Sequence, residues 1–313
     1  MRSSREGALL TVAAIRRGKG KRVTEVLFNE RQQIFRLPSG KARSLISNRL
    51  RAASRTKSPV KALLDPLQGT VRQIAVPSEA ERMEFRATRT ILERPAKSIR
   101  INVDELDPTR FNIVGRYLKW PIFRLCKRVM PDYGTAKDVF DFCAAQSCAL
   151  PGPPTVSPCI PFQYVIDGCY ARAHQMRKII ENRFGYCCEK VFSFALGDDR
   201  LAVRADKWGG CCVTWWYHVA PLVRVRIKIL SVSVEVAMVI DPGMFNKPVL
   251  LTTWLMAQEN ASCSPDARVT MYSIQAGSAY CPANGSGTAF TTDPTYTDTN
   301  ATLIQYSGLT TCS

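Results

Sequence analysis

Hydrophobic and polar positions alternate most regularly between Ile227 and Ile240, where Ile227, Ile229, Val232, Val234, Val236 and Met238 punctuate the run. That alternation predicts a pair of half-buried strands, ended by the turn residues Asp241-Pro242-Gly243. Val191–Leu196 and Cys212–Val225 are rich in β-branched and aromatic residues and predict further strands. Phe162–Ile166 predicts a short strand, followed by a turn at Asp167-Gly168. Two segments predict helices: Ala136–Cys148, and Cys169–Phe184, which Gly185 stops. Between them, Ala149–Pro161 holds five prolines, which exclude a helix or a central strand. An extended strap pinned by Cys148 and Cys159 is expected there. Beyond Ala261 the chain is rich in Ser, Thr, Gly and Asn and shows no clear period.

The first half is patterned more weakly. Residues 1–60 are rich in Arg, Lys and Ser and poor in aromatics, which predicts a basic, disordered arm. From Val71 to Val103 the apolar residues have strand-like or short helical spacing, and Phe111–Met130 predicts a helix interrupted at Pro121. The expected organisation is an arm over 1–60, a small pro-region or targeting segment over 61–135, and a main domain over 136–313. Charge divides the chain in nearly the same place. Residues 1–140 hold 30 Lys and Arg against 13 Asp and Glu and carry the whole net charge of +17, whereas residues 141–313 hold 13 of each sign. A basic arm can contact phosphates, but no nucleic-acid reader motif accompanies it. Nucleic acid is therefore not the expected partner. No segment approaches the roughly 20 apolar residues that span a bilayer.

Cysteine changes the picture further. Eleven of the twelve lie between Cys143 and Cys312, a density that predicts disulfides and a secreted or periplasmic location. Zinc is not expected, because Cys187-Cys188 and Cys211-Cys212 are adjacent pairs and the chain has only two histidines. The N-terminus resembles a signal peptide only faintly, since Arg16-Arg17 follow its apolar run where small residues belong.

The candidate chemistry centres on Asp167-Gly168-Cys169. With Asp167 as N-cap, Cys169 falls in the first turn of a helix, where free amides and the positive dipole end favour the nucleophilic thiolate. His174 lies five positions on, roughly 140° around the axis, so it cannot meet the sulfur and is read as structural or groove-lining. His218, in a strand beside Trp215, Trp216 and Tyr217, is the expected base. Asp241, at the end of the neighbouring strand, is the expected group that orients the imidazole and stabilises its cation. Backbone amides at the helix start would receive an oxyanion, with Gln163 as a candidate additional donor. Trp216 and Tyr217 are candidates for lining the substrate groove.

The order Cys, His, Asp, on a helix followed by antiparallel strands, resembles the core of transglutaminases and papain-like enzymes. The expected fold class is accordingly α+β, a nucleophile helix packed on an antiparallel sheet, preceded by a basic N-terminal pro-like region. Ser157-Pro158-Cys159-Ile160, Asp167–His174, Tyr186 with Cys188-Glu189-Lys190, Cys211-Cys212-Val213, Tyr217-His218-Val219-Ala220 and Ile240-Asp241-Pro242 together resemble the bacterial protein-glutaminases. The resemblance covers about residues 140–313. It implies Cys169 as nucleophile, His218 as base and Asp241 as third member of a triad that hydrolyses glutamine side chains to glutamate and ammonia through a thioester. It implies no cofactor or metal, and partners that are proteins or peptides with exposed glutamine. It also implies a pro-region covering the site, so that proteolysis between about Tyr133 and Val156 raises activity. A cysteine protease or transglutaminase would use the same triad, and a secreted disulfide-rich binding module with a basic arm is a reading of a different class. These alternatives are open at this point.

Overall fold

The computed structural model describes residues 7–17, 23–40, 42–92, 98–100, 128–152, 154–229 and 232–312. The helix expected over Phe111–Met130 falls outside them up to residue 127.

The sequence expected to form a disordered arm is folded. Its elements are β1 (Ala8–Leu10), β2 (Val12–Arg17), β3 (Thr24–Phe28), β4 (Arg31–Arg36) and α1 (Ala42–Thr56). They continue with β5 (Val60–Asp65), β6 (Thr70–Ala75), α2 (Glu79–Ala87), β7 (Thr90–Ile91) and β8 (Ser98–Arg100). Composition misleads here because the basic residues sit mostly at outward positions. Ile46, Leu50 and Ala53, at helical spacing on α1, pack against Val26, Phe28, Phe35, Val60, Val71 and Ile74 of the strands in a small separate core. A capping box at Ser78 and Glu81 starts α2.

The second half holds α3 (Tyr133–Ala144), α4 (Cys169–Phe184), β9 (Glu189–Phe194), β10 (Leu201–Arg204), β11 (Cys212–Trp215), β12 (Tyr217–Ile229) and β13 (Val232–Val239). It ends with β14 (Val249–Leu250), α5 (Leu251–Met256), β15 (Met271–Gln275), β16 (Ala279–Pro282), β17 (Phe290–Thr292) and α6 (Thr297–Tyr306). Its main sheet is antiparallel, in the order β14-β13-β12-β9-β15-β8. Strand alternation sorts β12 between two cores: Tyr217, Val219, Val223 and Val225 lie in the one that holds α4, and Ala220 and Leu222 in the other. The fold is the expected α+β arrangement of a buried helix on an antiparallel sheet.

Three local expectations change. Phe162–Ile166 forms no strand and opens with a turn at Phe162 and Gln163. The tail beyond Ala261 is ordered into strands of three to five residues and a helix, too short for a period to show. The main unit also starts earlier than residue 136. Met130 is 1% exposed, receives a backbone bond from Arg226 and gives one to Arg224, so it adds to the edge of the β12 ladder. A cut between Tyr133 and Val156 would therefore sever α3 or the strap closed by the Cys148–Cys159 disulfide.

The first half is joined to all three sheets of the second. β4 pairs with β11 through Gln33 and Trp215, β7 with β17, and β8 with β15.

Candidate active site

Helix α4 begins at Cys169 because Gly168 takes a left-handed conformation (φ +82°) that only glycine adopts freely. A Cβ there would also lie 2.8 Å from the Tyr306 ring. Gly168, not Asp167, is the N-cap residue, and no side chain caps the helix. Asp167 does other work: Oδ2 accepts from the Tyr306 hydroxyl at 2.7 Å and faces Arg31 Nε at 3.4 Å, and Oδ1 accepts from the Gln32 amide at 3.0 Å. Arg172, one turn into α4, is anchored on the carbonyls of Tyr164 and Asp167, both at 2.6 Å.

The Cys169 thiol is free and 1% exposed. Burial pushes its pKa well up, against the pull of the Arg172 guanidinium and the Val219 backbone amide, with Asp167 and Asp241 adding to the rise. In this covered state burial opposes the thiolate that the helix start is expected to favour. Loss of water around the sulfur disfavours its charged form.

Val219 follows His218 in β12, so the amide that points at the sulfur adjoins the expected base. His218 is also buried, its ring stacked on Trp215 at 4.5 Å and on Trp254 at 5.3 Å between ring centres. Its Nε2 meets Asp241 Oδ2 at 2.9 Å, and Nδ1 is buried with no hydrogen-bond partner. Donation from Nε2 to the carboxylate selects the ring tautomer that leaves Nδ1 bare. For Asp241, burial favours the protonated acid, but the His218 imidazole and the Trp254 indole N–H, at 2.9 Å, hold its pKa below the usual range. The Asp241 turn is clamped by Lys207, which donates to the carbonyls of Pro242 and Phe245, and by Trp208, which donates to that of Gly243.

A glutamine from the first half lies against this site. Gln32 is fully buried, and its carboxamide oxygen accepts from the Cys169 backbone amide at 2.9 Å. Its Nε2 donates to the Val165 carbonyl at 2.9 Å, and its own carbonyl accepts from the Trp216 amide at 3.1 Å. The indole of Trp216 donates to the carbonyls of Phe28 and Arg31.

The other sequence candidates divide. Trp216 holds the β3–β4 turn through its indole N–H. Tyr217 is wholly buried in the α4 core. Gln163 Nε2 donates to the Ser307 carbonyl at 2.8 Å, so its amide is committed to the C-terminal tail and not aimed at an oxyanion. His174 is structural. Its Nε2 bonds the Asp293 carbonyl, its Nδ1 meets Lys190 Nζ at 2.7 Å, and burial together with Lys190 lowers its pKa to about 2. Sequence reasoning missed Gln32, Trp254 and Lys207. Only the three-dimensional contact identifies them, since nothing in their neighbourhoods along the chain does. Among the described residues no group of three His, Cys, Asp or Glu is placed to hold a metal. Cysteine pairs close Cys211 to Cys312 and Cys212 to Cys263, and Cys187 is also bonded.

A family model described as Glutaminase matches residues 136–258. No curated protein matches the chain. A solved structure of pro-protein-glutaminase is similar at a TM-score of 0.72 and 29% identity, over 99% of this chain and 95% of that one. A mutant of pro-protein-glutaminase is similar at 0.71 and 30% identity, over 98% and 95%. Protein-glutaminase from Chryseobacterium proteolyticum is 39% identical with a TM-score of 0.50, over 59% of this chain and 92% of that one.

Proposed function

Because this chain belongs to the protein-glutaminase family, we propose that Cys169, His218 and Asp241 carry its activity as nucleophile, base and orienting acid. The activity itself is the family's: a hydrolase that deamidates glutamine in proteins to glutamate. The Cys169 thiolate attacks the carboxamide carbon, the Cys169 backbone amide receives the oxyanion, and the tetrahedral adduct loses ammonia protonated by His218. Water, deprotonated by His218, then attacks the thioester and releases glutamate. One oxyanion donor is typically worth about 3–4 kcal/mol in the transition state. The observation that carries the assignment is the His218–Asp241 bond through Nε2, which leaves a bare Nδ1 beside the strand position that touches the sulfur.

The first half is read as an intramolecular pro-region. Supporting this, the proenzyme structure matches nearly the whole chain, whereas the protein-glutaminase structure matches 59% of it. A disulfide-bearing main unit also suits secretion. Because Met130 belongs to the main unit, the activating cut is placed upstream of it. The test is ammonia release from casein by the chain cut between residues 101 and 125 and freed of its first half by further digestion, against the same preparation with Cys169→Ala. Ammonia without new chain ends or cross-links, lost in the variant, supports the reading. New chain ends would make it a protease, cross-links a transglutaminase, and undiminished ammonia release in the variant would remove Cys169 from the chemistry.

A further inference from the structure

We propose that Gln32 is this chain's own first substrate: the folded protein deamidates it, turning its carboxamide into a carboxylate. The inference rests on the assignment of Cys169 and His218 above. It begins from the contacts of one buried side chain. The carboxamide oxygen of Gln32 occupies the Cys169 backbone amide, the position an oxyanion would take. Its nitrogen, the leaving group, is separately held by the Val165 carbonyl. The main chain of the same residue is fixed as well, by Asp167 Oδ1 on the Gln32 amide and the Trp216 amide on the Gln32 carbonyl. Arg31, the residue before, pairs with Asp167 and donates to the Tyr170 hydroxyl. Every polar group of Gln32 is thus held, which is the positioning a bound substrate needs. Gln33, next along β4, sends its amide instead to the Pro66 carbonyl inside the first half and has no such contacts.

The step balances with solvent water alone. Cys169 Sγ bonds to Gln32 Cδ as the C–N bond breaks, and Nε2 departs as ammonia with a proton from His218. Water then cleaves the C–S bond, which restores the thiol and leaves a carboxylate at position 32. That product is a poor tenant of the same place. Where Nε2–H donated to the Val165 carbonyl, a carboxylate oxygen would face an acceptor without a donor between them. Its new charge would also be buried away from water, on a residue whose backbone amide already donates to the Asp167 carboxylate. Deamidation therefore weakens the grip of β4 on the site, while the pairings of β7 with β17 and β8 with β15 still hold the first half in place.

The experiment is peptide mass spectrometry of the intact, full-length wild type after folding and incubation, beside Cys169→Ala and Cys169→Ser, with Gln33 as internal control. The expected result is conversion at position 32, a gain of about one dalton, in the wild type alone. A Gln32–Cys169 thioester linkage with loss of ammonia, a stalled first step, also supports the proposal. Equal conversion in the Cys169 variants would make it spontaneous and overturn it. So would an unmodified Gln32 in a wild type that deamidates a glutaminyl dipeptide once its first half is cut and digested away, and that result leaves the assigned function standing. An unmodified Gln32 together with an inactive digested enzyme overturns both.

Discussion

At the scale of single residues, Asp241 is a buried carboxylate whose pKa is kept low. Two donors do this, the imidazole of His218 and the indole N–H of Trp254, against a burial that favours the acid. Replacing Trp254 with Phe removes one donor and keeps most of the stacking on His218. The Asp241 pKa then rises, protonation begins at higher pH, and the acid limb of kcat/KM moves to higher pH while the alkaline limb stays. An unmoved acid limb would show that Asp241 does not set it. Asp241→Ala should cost more, about 100- to 10,000-fold in kcat. Cys169 poses the opposite electrostatic problem, since burial of the covered sulfur raises its pKa. Removing the first half restores water, so the pH midpoint for iodoacetamide labelling of Cys169 should fall on its removal and the rate at neutral pH should rise. Equal labelling before and after would mean that the cover does not set its ionisation. Cys169, His218 and Asp241 could be singled out in the sequence because the chain has only two histidines and the order Cys, His, Asp is chemically meaningful. Gln32 could not, since its partner is 137 positions away and glutamine carries no reactivity to mark it.

At the scale of elements, what the sequence revealed follows the length of each regular pattern. β12 and β13 run 13 and 8 residues and show their alternation, and α4 runs 16 residues to a glycine stop. β16 and β17, of four and three residues, are shorter than any period that could reveal them. The start of α4 was misread for a related reason. Asp167 has the right chemistry for an N-cap, but its oxygens are taken by Tyr306, Arg31 and Gln32, and the sharp entry depends on Gly168. That dependence is testable. Gly168→Ala forces a left-handed φ on a side chain and drives its Cβ into the Tyr306 ring, so stability should fall by about 1–3 kcal/mol, with loss of activity in the folded fraction as the Cys169 amide is displaced. The measurement is a denaturant midpoint with ammonia release on the same sample. A variant of unchanged midpoint would mean that the backbone there relaxes freely.

At the scale of the whole molecule, the charge asymmetry invites the idea that the basic first half is held by bulk attraction, and the structure argues against it. Residues 141–313 carry 13 charges of each sign, so they offer no net field to hold a positive partner. The contacts are instead short-range: three strand pairings, the Arg31–Asp167 pair with Asp167 1% exposed, Glu25 on Arg200 at 3.3 Å, and Arg16 on the carbonyls of Gly197 and Asp199 at 2.7 Å. Buried pairs and backbone ladders are screened weakly by salt, which at 1 M cuts the range of interaction between exposed charges to about 3 Å. After a cut between residues 101 and 125, the two pieces should therefore stay together on gel filtration at both low and roughly 1 M NaCl, with activity still suppressed. Activity should appear in step with further digestion of the first half or with mild urea, which compete for the strand pairings rather than the charges. Separation of the pieces by salt alone, with activity appearing in parallel, would instead make the +17 the force that holds the cover down.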